Sequence, residues 1–174
     1  MTGEGAVRVG VVRAVAAHVP DIVRLIGELR VQEELSPTIS DESVRAYLAE
    51  AQTEVLVAVA SGVHEGGWAG AGAGAHGASG NTNDAVVGLL TLRIVGDLFH
   101  DGTSALVQEL IVDAGWRGRG VGGALLDAAV DHARKRGCAE IGVSTGVQNR
   151  DAQALYRSRG FEAEGLWLER HLDE

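Results

Sequence analysis

The chain has a single cysteine, Cys138, among its 174 residues. No intrachain disulfide can form, and no cysteine-based zinc cage is available. Its six histidines show no metal-ligand spacing, so no metal is expected. Aromatic residues make up only 4%, which leaves the core to Val, Leu, Ile and Ala. Excess positive charge is also missing. The formal net charge of −9 argues against a general nucleic-acid binder, which replaces counterions with a basic surface. No run approaches the ~20 apolar residues of a membrane helix. The opening MTGEGAVRVG has no apolar run behind a basic start, as a secretory leader would. These absences lead to the expectation of a cytoplasmic protein with neither a nucleic-acid nor a membrane partner.

What remains is a globular composition, 45% hydrophobic, at a length that suits one domain with a sizeable core. Glycine is abundant, at 25 residues, many of them between Ser61 and Asp84. That segment has no apolar period and reads as a long flexible loop carrying Trp68. Apolar runs flank it on both sides, so the expectation is an antiparallel hairpin with an insertion inside a single domain spanning 1–174.

The N-terminal half predicts a strand over Val7–Val12 and a helix over Pro20–Glu33, where Ile22, Leu25, Ile26 and Leu29 recur at helical spacing. Ser40 is placed to cap a second helix running to about Gln52. Glu54–Ala60 reads as a strand. In the second half, Ser104–Val112 is a strand. A glycine-rich turn, Arg117-Gly118-Arg119-Gly120-Val121-Gly122, then opens a helix that runs to Arg136. Val121, Ala124, Leu125, Ala128, Ala129 and Ala133 form that helix's apolar stripe, and Gly137 is its C-terminal cap. Ala139–Thr145 is the next strand, Asp151–Arg159 a short helix, and Phe161–Leu168 a last strand. Strand, turn, helix, strand in this order implies a parallel pair with a right-handed crossover.

A glycine-rich turn at a helix start presents unpaired backbone N–H groups at the positive end of the helix dipole, which suits a phosphate. The alternative is a tight turn that merely packs helix against sheet. GRGVGG also fits the dinucleotide pattern G-x-G-x-x-G. A dinucleotide site, however, needs an acid at the end of the second strand. That end reads Ser144-Thr145-Gly146, and the chain after the turn is too short for a doubly wound sheet. A Walker-type loop fails because no G-K-[ST] follows.

At these residues the chain resembles the GNAT family of N-acetyltransferases. Arg117, Gly120 and Gly122 match the family's Q/R-x-x-G-x-G/A motif. The segment from Asn149 through Ala152, Leu155 and Tyr156 to Gly160-Phe161 matches its N-x-x-A-x-x-L-Y-x-x-x-G-F segment. The resemblance is specific from about Ser104 to Leu168. It implies an α/β (α+β) fold: a mixed, mostly antiparallel central sheet flanked by helices, with a splayed parallel strand pair binding the cofactor. It implies acetyl-CoA as co-substrate and a small-molecule amine or protein amino group as acceptor. Such proteins are often homodimers, although these residues show no interface.

By the same resemblance, Leu110, Ile111 and Val112 would pair through their backbone with the pantetheine arm, and an N–H at Leu110 or Ile111 would hold the thioester oxygen. The N–H groups of Arg117, Gly118, Arg119, Gly120, Val121 and Gly122 would hold the pyrophosphate. Asn149 would bond the pantetheine, or serve as a helix N-cap. Tyr156 would touch the cofactor and give a proton to the departing thiolate, as a phenol of reference pKa ~10 can at neutral pH. Its alternative is a core aromatic. Glu109, beside the expected thioester, is a candidate base for the amine, with Asp97, His100 and Asp101 as further candidates. Cys138 follows the Gly137 cap with no histidine placed by sequence to activate it, which favours a structural role over a covalent one. A non-catalytic sensor that keeps the cofactor site but not the chemistry is the alternative to an enzyme. The resemblance also implies an acceptor pocket built from the first two helices and their linker, around Leu35–Ile39, together with the loop before the 104–112 strand.

Overall fold

The computed structural model describes residues 7–61, 84–165, 168 and 170. The elements are β1 (Arg8–Arg13), α1 (Val19–Gln32), α2 (Asp41–Ala49), β2 (Thr53–Ser61), β3 (Asp84–Asp97), β4 (Gly102–Val112), α3 (Val121–Lys135), β5 (Ile141–Val143) and α4 (Arg150–Ser158). The sheet runs β1-β2-β3-β4-β5. Every neighbouring pair is antiparallel except β4 and β5, which are parallel. The expected mixed, mostly antiparallel sheet is therefore present. So is the hairpin flanking the glycine-rich insertion, although Trp68 and positions 62–83 lie outside the described residues.

Local chemistry sets the helix ends. Ser40 caps α2 by accepting the Ser43 N–H at 3.1 Å. The α3 helix ends in a Schellman motif, with Gly137 at φ +72° and Cys138 N–H bonded to the Ala133 carbonyl at 3.0 Å. The α4 helix ends the same way. Gly160 takes φ +83°, and Phe161 N–H bonds the Tyr156 carbonyl at 3.1 Å. That closure folds the Phe161 ring back to 6.0 Å from Tyr156. Here the structure corrects the sequence reading: residues 161–165 form no strand, because Phe161 is turned against α4 instead of continuing outward. The strand expected over Ala139–Thr145 shrinks to three residues, Ile141–Val143, which among the described residues pair with Ala105, Leu106 and Val107 of β4.

Helices cover both faces of the sheet. Against α3 and α4 pack Leu56, Ala58, Leu90, Leu92, Ala105 and Val107. Against α1 and α2 pack Val55, Val57, Val86, Leu89 and Ile111. Leu89, Leu90, Leu125 and Leu126 are fully buried, and truncating any of them to Ala costs roughly 2–5 kcal/mol. Leu126 stands outside the predicted stripe of α3, yet it is fully buried in the same cluster.

The glycine turn, the bulge and the gap between two strands

The register of β4 against β3 slips once. Thr91 faces Glu109 and Leu92 faces Val107, so Gln108 is an extra residue, a β-bulge. The bulge reverses the facing of everything after it. Before it, the odd residues Ala105 and Val107 point to the α3 face. After it, the odd residue Ile111 points to the α1/α2 face. Glu109 therefore shares the α1/α2 face with its partner Thr91. An unbulged strand would have buried Glu109 under α3.

The bulge also marks where β4 and β5 part. Their pairing ends at Val107–Val143, while β4 continues to Val112. Beyond that point, among the described residues, β4 has a strand partner on the β3 side only. Asp113 N–H bonds the Val87 carbonyl at 3.0 Å, and Glu109 N–H bonds Thr91 Oγ1 at 3.1 Å. Backbone groups alternate in direction along a strand. Residues 109, 111 and 113 thus face β3, whereas Leu110 and Val112 face the open gap. Between the two positions left open by sequence, the alternation selects Leu110 over Ile111 as the N–H directed into the gap.

The glycine turn begins at the same end of β4. Asp113 anchors its approach, accepting the Gly115 N–H at 3.1 Å and pairing with Arg24 of α1 at 3.0 Å. Trp116, largely buried, sits beneath the turn with the Arg119 guanidinium 5.2 Å from its ring centroid. Arg117 Nε bonds the Val112 carbonyl at 3.0 Å, on the gap side. Gly118 (φ +71°) and Gly120 (φ +82°) are left-handed, with open space where a Cβ would be. Gly120 is the N-cap of α3, and the first helical bond is Ala124 N–H to its carbonyl. The N–H groups of Val121, Gly122 and Gly123 therefore have no acceptor within the helix.

Gly122 and Gly123 have a different task. A Cβ on Gly122 would stand 3.1 Å from Leu155, and one on Gly123 2.0 Å from Arg159. Their bareness makes room for Leu155 of α4 and for Arg159 just after it against the first turn of α3. Gly122 is thus part of the helix–helix contact as well as of the helix start.

Asn149 is the N-cap of α4, its Oδ1 accepting the Ala152 N–H at 3.1 Å. The cap occupies the oxygen and leaves the amide N–H₂ for other partners. Ala152 and Tyr156 are half-buried on one side of α4. Tyr156 packs on the α3-side core, and its burial pushes the phenol up from its ordinary value.

Glu109 stands on the other face of the sheet from that core. Burial pushes its carboxyl up as well. Thr91 holds it from two directions. The hydroxyl oxygen accepts the Glu109 N–H, and the hydroxyl proton goes to the Glu109 carboxylate. Tyr47 of α2 closes the cluster by donating to Gln108 Oε1 at 2.7 Å. Burial, followed by the charge of Glu109, raises this phenol too. Sequence reading missed Tyr47, Thr91 and Gln108. The available signal was Gln108-Glu109 itself, two adjacent polar residues inside an apolar strand, which breaks the period of 2 and marks a bulge.

The other base candidates lie away from Glu109. Asp97, His100 and Asp101 flank the β3–β4 turn at the opposite end of β4. Asp97 braces that turn. Its Oδ1 accepts the Phe99 and His100 N–H groups at 3.0 and 3.3 Å, while Oδ2 lies 2.6 Å from His100 Nδ1 and accepts the Ser104 hydroxyl. Glu140 comes within ligand distance of this group. Since both Asp97 oxygens are already engaged, a brace accounts for the cluster. Cys138 is half-buried and is approached by the Thr103 hydroxyl at 3.7 Å. The expected acceptor border contributes Pro37 to an open groove of about 690 Å³ between α1 and Ala114-Arg117. No described helix is long and apolar enough to cross a membrane.

This geometry can be set beside known proteins. The chain is 41% identical over 67 residues to an uncharacterized N-acetyltransferase of Methanocaldococcus jannaschii, covering 37% of this chain and 30% of the relative. It is 34% identical over 80 residues to the aminoalkylphosphonate N-acetyltransferase of Salmonella typhimurium, covering 46% and 52%. The matches thus span about a third to half of those relatives' own lengths. Among solved structures, an aminoglycoside acetyltransferase from an uncultured soil metagenomic sample superposes with a TM-score of 0.71 at 19% identity, over 95% of this chain and 96% of that one. At that identity the likeness speaks for the fold. Residues 41–161, most of the chain, match the model of the acetyltransferase (GNAT) family. The chain belongs to that family.

Proposed function

We propose that the protein transfers an acetyl group from acetyl-CoA to a primary amine by direct attack in a ternary complex. The observation that carries this reading is the coincidence of three features at one end of β4: the bulge at Gln108, the open gap beyond Val107, and the glycine cradle at 118–123. Acetyl-CoA supplies an activated thioester when bound. The cradle fits its pyrophosphate, because unpaired N–H groups converge there with no side chain on Gly118 or Gly120 to fill the space. The exposed edge of β4 offers Leu110 and Val112 N–H groups to the pantetheine amides, as an added strand would use them. The Asn149 amide nitrogen is a further donor.

The chemistry follows from what the two half-buried acids can do. Glu109, aimed at the α1/α2 face by the bulge, takes a proton from the incoming ammonium. Its raised pKa makes it a better base than an exposed carboxylate. Leu110 N–H donates to the thioester oxygen as negative charge develops there. Tyr156 stays protonated at neutral pH and donates to the sulfur as the C–S bond breaks. No contact joins Glu109 to Tyr156 among the described residues. That agrees with proton removal and proton delivery on opposite sides of a bound thioester. The relative from Salmonella typhimurium is named for an aminoalkylphosphonate, which supports a small amine as acceptor.

Titration with acetyl-CoA, CoA and a nicotinamide dinucleotide, read by melting temperature, tests the cofactor. A ligand at 100 times its Kd adds about 2.7 kcal/mol of stability. A shift with the coenzyme A pair alone is expected. A larger shift with the dinucleotide would overturn the reading. Binding without acyl transfer across a broad amine panel would turn the enzyme into a sensor.

A further inference from the structure

Arg159 follows α4 directly, and its side chain lies across the first turn of α3. A Cβ on Gly123 would stand 2.0 Å from Nη2 and 2.7 Å from Cζ, so the guanidinium rests on bare glycine backbone. Its Nη1 reaches Asp127 Oδ2 at 2.9 Å, one helical turn further along. Gly123 is the third residue of α3, where the helix N–H groups are unpaired and the dipole is positive. A cation is ill placed there on its own account. Asp127, with 56% of its side chain exposed, offsets little of that in water. A guanidinium carries five N–H donors, and Asp127 is the one side chain Arg159 bonds among the described residues. The motif arginines are held elsewhere, Arg117 by the Val112 carbonyl and Arg119 over Trp116.

We propose that Arg159 is a phosphate-binding residue of the coenzyme site, completing from α4 the anion cradle that the backbone of 118–123 begins. Asp127 holds the guanidinium against Gly123 until a phosphate takes over its free N–H groups. The proposal rests on the acetyl-CoA reading above. The phosphate is either the 3′-phosphate or the pyrophosphate, which share the same chemistry.

Calorimetric titration of the full chain with CoA and with 3′-dephospho-CoA tests it, using wild type, Arg159→Met, Arg159→Lys and Asp127→Asn. Arg159 and Asp127 form a partly exposed pair, so these variants are expected to fold. Arg159→Met is expected to weaken CoA binding about tenfold or more, as the loss of a charge-assisted bond does. Arg159→Lys should fall between it and wild type. Asp127→Asn should bind CoA as tightly as wild type or tighter. A loss confined to CoA assigns the 3′-phosphate, and an equal loss with both ligands assigns the pyrophosphate. Unchanged affinity in Arg159→Met would overturn the proposal. So would equal weakening in Arg159→Met and Asp127→Asn, which would make the pair a structural link. Wild type that fails to bind CoA would show instead that the cradle reading itself is wrong, and the proposal would fall with it.

Discussion

The two faces of the sheet do their work with different materials. On the α3 face the proposed site is made largely of backbone: left-handed Gly118 and Gly120, the first N–H groups of α3, and the edge of β4 beyond Val107, which pairs with no described strand. On the α1/α2 face it is made of side chains brought from three elements, with Tyr47 on α2, Thr91 on β3 and Glu109 on β4. A backbone site demands particular residues at fixed spacing, because glycine adopts the required positive φ at far lower cost than other residues. A side-chain site asks only that certain groups converge. The bulge at Gln108 joins the two designs, since one extra residue both ends the β5 pairing and turns Glu109 to the other face.

The largest effects should come from the groups proposed to move protons. Tyr156→Phe and Glu109→Gln are each expected to lower kcat by about 10²–10⁴-fold with little change in acetyl-CoA affinity. Rapid-quench kinetics beside titration would check the split. In wild type, activity should be lost as pH falls through the raised Glu109 pKa, because the base must be unprotonated. Glu109→Gln should remove that limb.

Changing the backbone face should do the opposite. Gly120→Ala forces a side chain into φ +82°, which costs roughly 1–2 kcal/mol. It should loosen acetyl-CoA about tenfold while sparing kcat at saturation. A change in kcat alone would blur the contrast between the faces.

A smaller effect should isolate Thr91. Thr91→Val removes the hydroxyl that donates to the Glu109 carboxylate while keeping the shape. The charged form of Glu109 loses support, so the acid limb of kcat/KM should move up by about one pH unit. Thr91→Ser should restore it. A purely structural Thr91 would leave the limb in place.

The smallest effect belongs to the far end of β4. His100 is raised above its ordinary 6.5, chiefly by its bond to Asp97. Its contribution to stability is therefore complete below pH 6.5 and is lost as pH rises through the folded value. Asp97 is held well below its ordinary 3.8, chiefly by the Ser104 hydroxyl and then by His100. Its contribution is present above 3.8 and lost as pH falls through the lowered value. Melting curves of wild type and His100→Gln between pH 5 and 8 should converge on the alkaline side, with activity unaffected.

The same contrast explains what the sequence disclosed. Gly118, Gly120 and Gly160, the Asn149 cap and the α3 stripe were legible because each is a local demand of φ, capping or period. The hairpin was legible from the apolar runs on either side of the insertion. Tyr47, Thr91 and Arg159 were not. Tyr47 meets Gln108 across 61 positions and Thr91 meets Glu109 across 18, and no local pattern announces such a meeting. The strand expected from Phe161 failed because the Schellman closure at Gly160 redirects the chain, an effect of the turn that apolar content did not reveal.

The most direct test of the account follows thiol release when the protein is mixed with acetyl-CoA and a panel of primary amines. The account predicts release that requires the amine, saturates in both substrates, and leaves no acetyl group on the protein by mass spectrometry. A burst of thiol without amine, with an acetylated Cys138 or other side chain, would contradict direct attack in a ternary complex.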